Sequence, residues 1–227
     1  MALPDSISFP EASTLPMAVQ TSWAGWYTLG VPMDTQYAPE DKKGVLIWGG
    51  SSSIGTAAIQ TAKSLGLVVY ATASPQHHEY LKSLGASKVF DYKAKNVEET
   101  VVKAVKEDGV SLQMGFLATG PLKPNQDILK TLNTDGGATL ASAPLLPQEY
   151  PQVDGVTVKF IMLPFDEKER AEYTRQIFHG WLKARLVSRE YIPSPKVKVL
   201  DGGLGALQNG LDVLKQGVSA EKLVVEV

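Results

Sequence analysis

The segment Gly49-Gly50-Ser51-Ser52-Ser53-Ile54-Gly55 carries the clearest chemical signal in this chain of 227 residues. It sets Gly49, Ser52 and Gly55 at the spacing of a G-x-x-G-x-x-G variant, with serine in the middle place. Small residues there let an anion approach the backbone, and a helix starting at such a turn offers unpaired N–H groups and a positive dipole end. The matching ligand chemistry is the pyrophosphate of a dinucleotide, received by Gly50, Ser51, Ser52, Ser53 and Ile54. A serine hydroxyl can also donate to a phosphate. A glycine triplet is weak by itself and gains weight only where it follows a strand and opens a helix. The competing reading is an ordinary tight turn whose serines cap the helix.

The choice of nucleotide falls at the end of the next strand. An NAD site usually carries Asp or Glu about 20 residues past the turn, to bond the ribose 2′-hydroxyl. Residues 71–78 read ATASPQHH, with no acid before Glu79. Ser74 can donate a hydrogen bond to a 2′-phosphate, and His77 or His78 can add partial positive charge. No Lys or Arg stands there. NADPH is therefore expected over NADH. The alternative for the two histidines is a pair of solvated residues beginning a helix.

The elements around the turn supply the context it needs. Gly44 to Trp48 is a short apolar run, suited to a strand buried on both faces. From Ile54 the apolar residues recur at helical spacing, ending near Gly66. Further strands are expected at Val68–Ala73, Lys88–Phe90, Leu112–Ala118, Ala138–Ala141 and Val156–Met162. Helices are expected at Glu79–Leu84, from an Asn96 cap through Asp108, at Asn125–Leu132 and at Asp166–Leu186. Repeated βα units imply an α/β fold, a Rossmann-type doubly wound parallel sheet of about six strands. Residues 42–186 form this NADP-binding domain. Residues 1–41, with an apolar segment Leu15–Leu29, and residues 187–227, with strands at Lys196–Leu200 and Lys222–Val227 around a helix, fit that core poorly. They read as flanking remnants of a second, catalytic domain.

Bulk properties narrow the class further. Apolar residues make up 44% of the chain and the formal charge is −2. No basic stripe marks a nucleic-acid partner, and no window approaches a membrane span. The absence of cysteine excludes disulfides and thiolate–zinc sites within the chain, and with three histidines no zinc set is expected. The first twenty residues lack the pattern of a signal peptide, so a cytoplasmic setting is expected. No G-x-S-x-G elbow is present. Trp23, Trp26 and Tyr27, at helical spacing, read as core or interface packing.

The segments VLIWGGSSSIGTAAIQTAKSLG, ATAS, LKSLGASKVFDYK and GLDVLKQGVSAEKLVVEV together resemble the medium-chain dehydrogenase/reductase superfamily. The nearest likeness is to fungal zinc-independent members, the trans-acting enoyl reductases that assist polyketide synthases, and to quinone oxidoreductase-like proteins. The resemblance also covers LPDSISFPEASTLPMAVQTSWAGWY. It implies that Ser51, Ser52, Ser53 and Ile54 meet the pyrophosphate and that Ser74 and His77 face the 2′-phosphate. It places Tyr92 near the adenosine, Ala118, Thr119, Ser142 and Ala143 beside the nicotinamide half, and Val218 and Ser219 at a late cofactor contact. Thr21 matches a threonine near the nicotinamide and the reacting substrate, and is the catalytic candidate.

The same resemblance implies hydride transfer to a small-molecule substrate with an activated double bond, and a GroES-like barrel in front of this segment. Met1 and Ala2 read as a plausible start. A neighbouring copy, forming a homodimer, is the simplest cover for the apolar edges left open. No residue is singled out as proton donor; Tyr27, Tyr150 and solvent stay open. A nucleotide-binding module without turnover, a sensor, scaffold or subunit, is the alternative from another class.

Overall fold

The computed structural model describes residues 3–227, so Met1 and Ala2 lie outside the described residues. The chain begins with α1 (Phe9–Ser13) and α2 (Leu15–Thr28), then alternates. The order is β1 (Lys43–Trp48), α3 (Ser53–Ser64), β2 (Val68–Thr72), α4 (His78–Leu84), β3 (Lys88–Phe90), α5 (Val97–Asp108) and β4 (Ser111–Leu117). There follow α6 (Leu122–Leu132), β5 (Ala138–Ser142), β6 (Val156–Phe160), α7 (Glu167–Arg175) and α8 (Lys183–Ser188). The last two helices are joined by a wide-turn π segment, Gln176–Leu182, so the single helix expected over 166–186 changes pitch midway.

Six strands form one parallel sheet in the order β3-β2-β1-β4-β5-β6. The expected Rossmann architecture is present. The central strands are buried on both faces, and their side chains alternate between two cores, whereas the edge strands β3 and β6 are only partly buried. Val45, Ile47, Val69, Ala71 and Phe116 pack on one side, under α2, α3 and the α7–α8 segment. Leu46, Trp48, Tyr70, Leu117 and Leu140 pack on the other, under α5 and α6. The order in which strands are added reverses between β1 and β4, where ligands bind in such sheets at the carboxyl ends of the strands.

Several boundaries differ from the sequence expectation. The sixth helix begins at Leu122, three residues before Asn125, because Pro124 in the first turn needs no N–H partner. Asn125 Nδ2 donates to Pro121 O, 3.1 Å away. Asn96 is the N-cap residue of α5, its carbonyl accepting the first helical bond from Thr100 N–H at 3.0 Å, but its side chain makes no cap bond. The sixth strand stops at Phe160.

Residues 15–28 correct the expectation of a poor fit. Leu15, Val19, Trp23 and Trp26 of α2 are buried in the same cluster as the sheet. Thr61 Oγ1 on α3 accepts from Trp26 Nε1 at 2.8 Å and lies 2.6 Å from Ser22 Oγ, which ties the two helices by buried polar bonds. The carboxyl-terminal residues stand apart from the six-stranded sheet. There β7 (Lys196–Leu200) and β8 (Glu221–Val225) pair in parallel as their own two-stranded sheet, linked through α9 (Leu207–Gln216). Among the described residues, no helix is long and apolar enough to cross a membrane.

Candidate active site

The turn after β1 is built by steric necessity. Gly49 has φ +80°, and a Cβ there would lie 2.5 Å from Thr119 Cγ2. A Cβ on Gly55 would meet Gly49 O at 2.3 Å, so the helix can start this close to the strand only with glycine. Gly50 N–H donates to Thr72 O at 2.8 Å and Gly49 N–H to Thr72 Oγ1 at 3.1 Å, which fixes the turn to the end of β2. Ser52 is the N-cap of α3. Its Oγ accepts from Gly55 N–H at 3.0 Å and donates to Gly49 O at 2.8 Å. That hydroxyl proton is engaged inside the turn rather than offered to a phosphate. Ser53 and Ile54 head the helix, so their amides have no intrahelical acceptor.

These features answer whether the residues fit a nucleotide's pyrophosphate. The backbone cradle is tight and the helix dipole is aimed outward. A cleft of about 460 Å³ opens over it, lined by Ser51, Ser52 and Ser53. They fit.

The same cleft gathers Ser74 from the end of β2, Tyr92 from the end of β3, Thr119 from the end of β4, and Val218 and Ser219 from the run into β8. His77 sits at its rim, with Nε2 2.6 Å from Ser219 Oγ. His78 Nε2 lies 3.2 Å from Ala73 O. Lys93 Nζ stands 5.6 Å from the centre of the Tyr92 ring.

A second cleft, of about 530 Å³, is mainly apolar and holds Thr21, Ile54 and Ala143. Thr21 lies on the face of α2 turned away from the core; its Oγ1 makes only a long contact, 3.6 Å, to Met17 Sδ. Four expected residues, Gly50, His77, Ala118 and Ser142, line neither cleft. Gly50 and Ala118 are buried, and Ser142, fully buried, donates its hydroxyl to Pro144 O at 2.8 Å. Trp23 and Trp26 are core residues, as their spacing suggested. Tyr27 is partly exposed and its OH donates to Glu169 Oε1 at 3.2 Å. Desolvation, together with that acceptor, pushes its phenol above the usual tyrosine range.

Comparison with known proteins places this geometry. The family described as zinc-binding dehydrogenase matches residues 53–159. A trans-enoyl reductase of Aspergillus flavipes is 46% identical over 224 residues, 98% of this chain and 65% of the relative. A dehydrogenase of Monascus ruber is 32% identical over 254 residues, with 99% of this chain and 67% of the relative covered. The chain belongs to the medium-chain dehydrogenase/reductase superfamily. Within that superfamily it spans about 65% of the length of the Aspergillus flavipes relative. The fold is shared with the quinone oxidoreductase of Thermus thermophilus, at TM-score 0.71 and 22% identity over 100% of this chain and 69% of that one. An enoyl thioester reductase of Candida tropicalis aligns at TM-score 0.70 and 17% identity, over 99% and 63%.

The matching family's description includes zinc. This reductase-superfamily chain has no cysteine, and among the described residues no group of three or more His, Asp or Glu could hold a metal ion.

Sequence reasoning missed residues on both clefts. Glu221 and Lys222 line the polar one. The only signal for them was their place just after Val218 and Ser219. Met17, Gln20, Phe160, Met162, Phe165 and Arg170 line the apolar one. Arg170 Nη1 donates to Phe165 O at 3.1 Å and so holds that loop. Nothing in residue spacing marks this, because α2, β6 and α7 meet only in the tertiary structure.

Proposed function

We propose that this chain is the cofactor-binding part of a zinc-independent NADPH-dependent reductase. It acts on a small molecule with an activated double bond. One observation carries the reading: Ser51, Ser52 and Ser53 of the glycine turn, Ser74 and Tyr92 line one cleft at the carboxyl edge of the sheet, beside an apolar cleft holding Thr21. NADPH is favoured over NADH because Ser74 faces the cleft and no carboxylate precedes Glu79 to repel a 2′-phosphate. The trans-enoyl reductase names of the relatives support the same chemistry.

When bound, the nicotinamide supplies a hydride to the β-carbon of an α,β-unsaturated carbonyl. The chain's own residues bind, orient and exclude water. The amides of Ser53 and Ile54 would hold the pyrophosphate, Thr119 and Ala143 would shape the nicotinamide side, and Val218 and Ser219 would close the far side. Thr21 Oγ1 can donate to a substrate carbonyl oxygen as charge develops there. Tyr27 keeps its proton at ordinary pH, since its phenol is pushed up, but its OH points to Glu169. Tyr150 and solvent remain the other sources for the proton that goes to the α-carbon.

The trans-enoyl reductase names of the relatives support action alongside a partner enzyme; a polyketide synthase as that partner, and a cytoplasmic setting, are carried over from the sequence resemblance. The exposed Leu207, Leu211 and Leu214 on α9 support a homodimer or another covering surface.

A second reading, nucleotide binding without turnover, is favoured by the openness of the apolar cleft, where Met17 is 68% and Phe165 83% exposed. Isothermal titration with NADPH and NADH, followed by NADPH oxidation with a crotonyl thioester and a simple quinone, separates the two. Oxidation by this chain alone is expected from the first reading. Tight NADPH binding without oxidation selects the second, and tighter NADH than NADPH binding defeats the nucleotide assignment.

A further inference from the structure

A 2′-phosphate carries close to two negative charges near neutral pH and is held best by charge-assisted bonds. The segment after β2 offers no Lys or Arg for it. His77, expected to supply part of that charge, has its Nε2 against Ser219 Oγ at 2.6 Å. Among the residues lining the polar cleft, Lys222 is the one Lys or Arg, and it shares that lining with Ser74.

Lys222 lies on β8, where it pairs in register with Val197. It is half-buried, whereas its neighbour Glu221 is exposed. Glu221 lines the same cleft, but solvent screens its charge more than that of the half-buried lysine. None of the ion pairs among the described residues engages Lys222. The pyrophosphate is already served by the amides and dipole of α3, which leaves the third phosphate as the anion in need of a counter-charge. Lys93 is the rival, but its ammonium stacks over Tyr92 and does not line the cleft.

We infer that Lys222 is the cation that pairs with the 2′-phosphate, so that the choice of NADPH over NADH is made partly from the carboxyl-terminal strand. The inference rests on the dinucleotide reading above and adds a specificity-determining residue to it.

The test is isothermal titration of wild type, Lys222→Met, Lys222→Arg and Lys93→Met with NADPH, NADH, 2′,5′-ADP and 5′-AMP. Wild type should prefer 2′,5′-ADP to 5′-AMP. Lys222→Met should shrink that preference about tenfold and weaken NADPH about tenfold, the scale of one charge-assisted contact. Its NADH affinity should stay within about twofold of wild type, which also shows that the variant is folded. Lys222→Arg should keep most of the preference, and Lys93→Met all of it.

Equal weakening of NADPH and NADH by Lys222→Met would assign the lysine to the pyrophosphate and overturn the inference. An unchanged preference in Lys222→Met, or its loss in Lys93→Met, would overturn it too. If wild type bound none of the four nucleotides, the dinucleotide reading itself would fall, and the inference with it. That result differs from the others because it appears before any substitution.

Discussion

Ser52 shows how one side chain settles between two readings. Its hydroxyl caps α3 and holds Gly49 O, so the turn keeps its shape before any ligand arrives. The anion-binding capacity then resides in backbone amides, which cost no reorganisation on binding. Ser74 is the opposite case, since its side chain stands at the cleft and makes no cap bond. A carboxylate at this position should repel a 2′-phosphate and accept from a ribose hydroxyl. Ser74→Asp is therefore expected to weaken NADPH at least about tenfold while strengthening NADH. Titration with both nucleotides checks it, and parallel losses for the two would mean that Ser74 does not discriminate.

Among the elements, α2 decides most. It supplies Thr21 to the apolar cleft, and its opposite face is buried against α3 through Trp23, Trp26 and Ser22. The hydroxyl of Thr61 is the hub of that contact. It meets Trp26 Nε1 and Ser22 Oγ and donates back to the α3 backbone, where Ala57 O lies 3.0 Å away. Thr61→Val keeps the volume but leaves a buried indole N–H without its acceptor. A loss of about 2 kcal/mol of stability is expected, the cost of orphaning such a group. Urea denaturation measures it. A loss below about 0.5 kcal/mol would mean that neighbouring groups take over the bonds.

Across the whole molecule, charge ties the far face of the sheet together. Asp108, at the end of α5, accepts from Lys88 Nζ of β3 at 2.8 Å and from Tyr70 OH of β2 at 2.7 Å. The Lys88 bond first, and then that from Tyr70, hold its carboxyl below the usual range. A depressed folded-state value means that the contribution is present above the ordinary aspartate value, about 3.9, and is lost as pH falls through the lower folded value. Thermal melts should therefore show wild type losing its advantage over Asp108→Asn only below about pH 4. At neutral pH the variant should melt lower. A difference that stays constant down to pH 2 would show that this carboxylate is not the group responsible.

The residue pattern by itself determined the alternation of strands and helices, because strands buried on both faces leave short apolar runs and helices between them leave a 3.6-residue period. It also located the tight turn between β1 and α3, since only glycine tolerates the approach that Gly49 and Gly55 make. It did not show that residues 15–28 belong to the main core, nor that the Asn96 side chain would make no cap bond. Those outcomes depend on which surfaces meet, and the partners of α2 lie far along the chain, at Thr61 and Trp181. The two clefts were likewise decided by folding. Ser74 and Lys222 are separated by most of the sequence, and their approach depends on how β8 is carried back to the sheet's carboxyl edge. Local spacing encodes hydrogen bonds within a helix or turn, whereas contacts across such distances are set by packing.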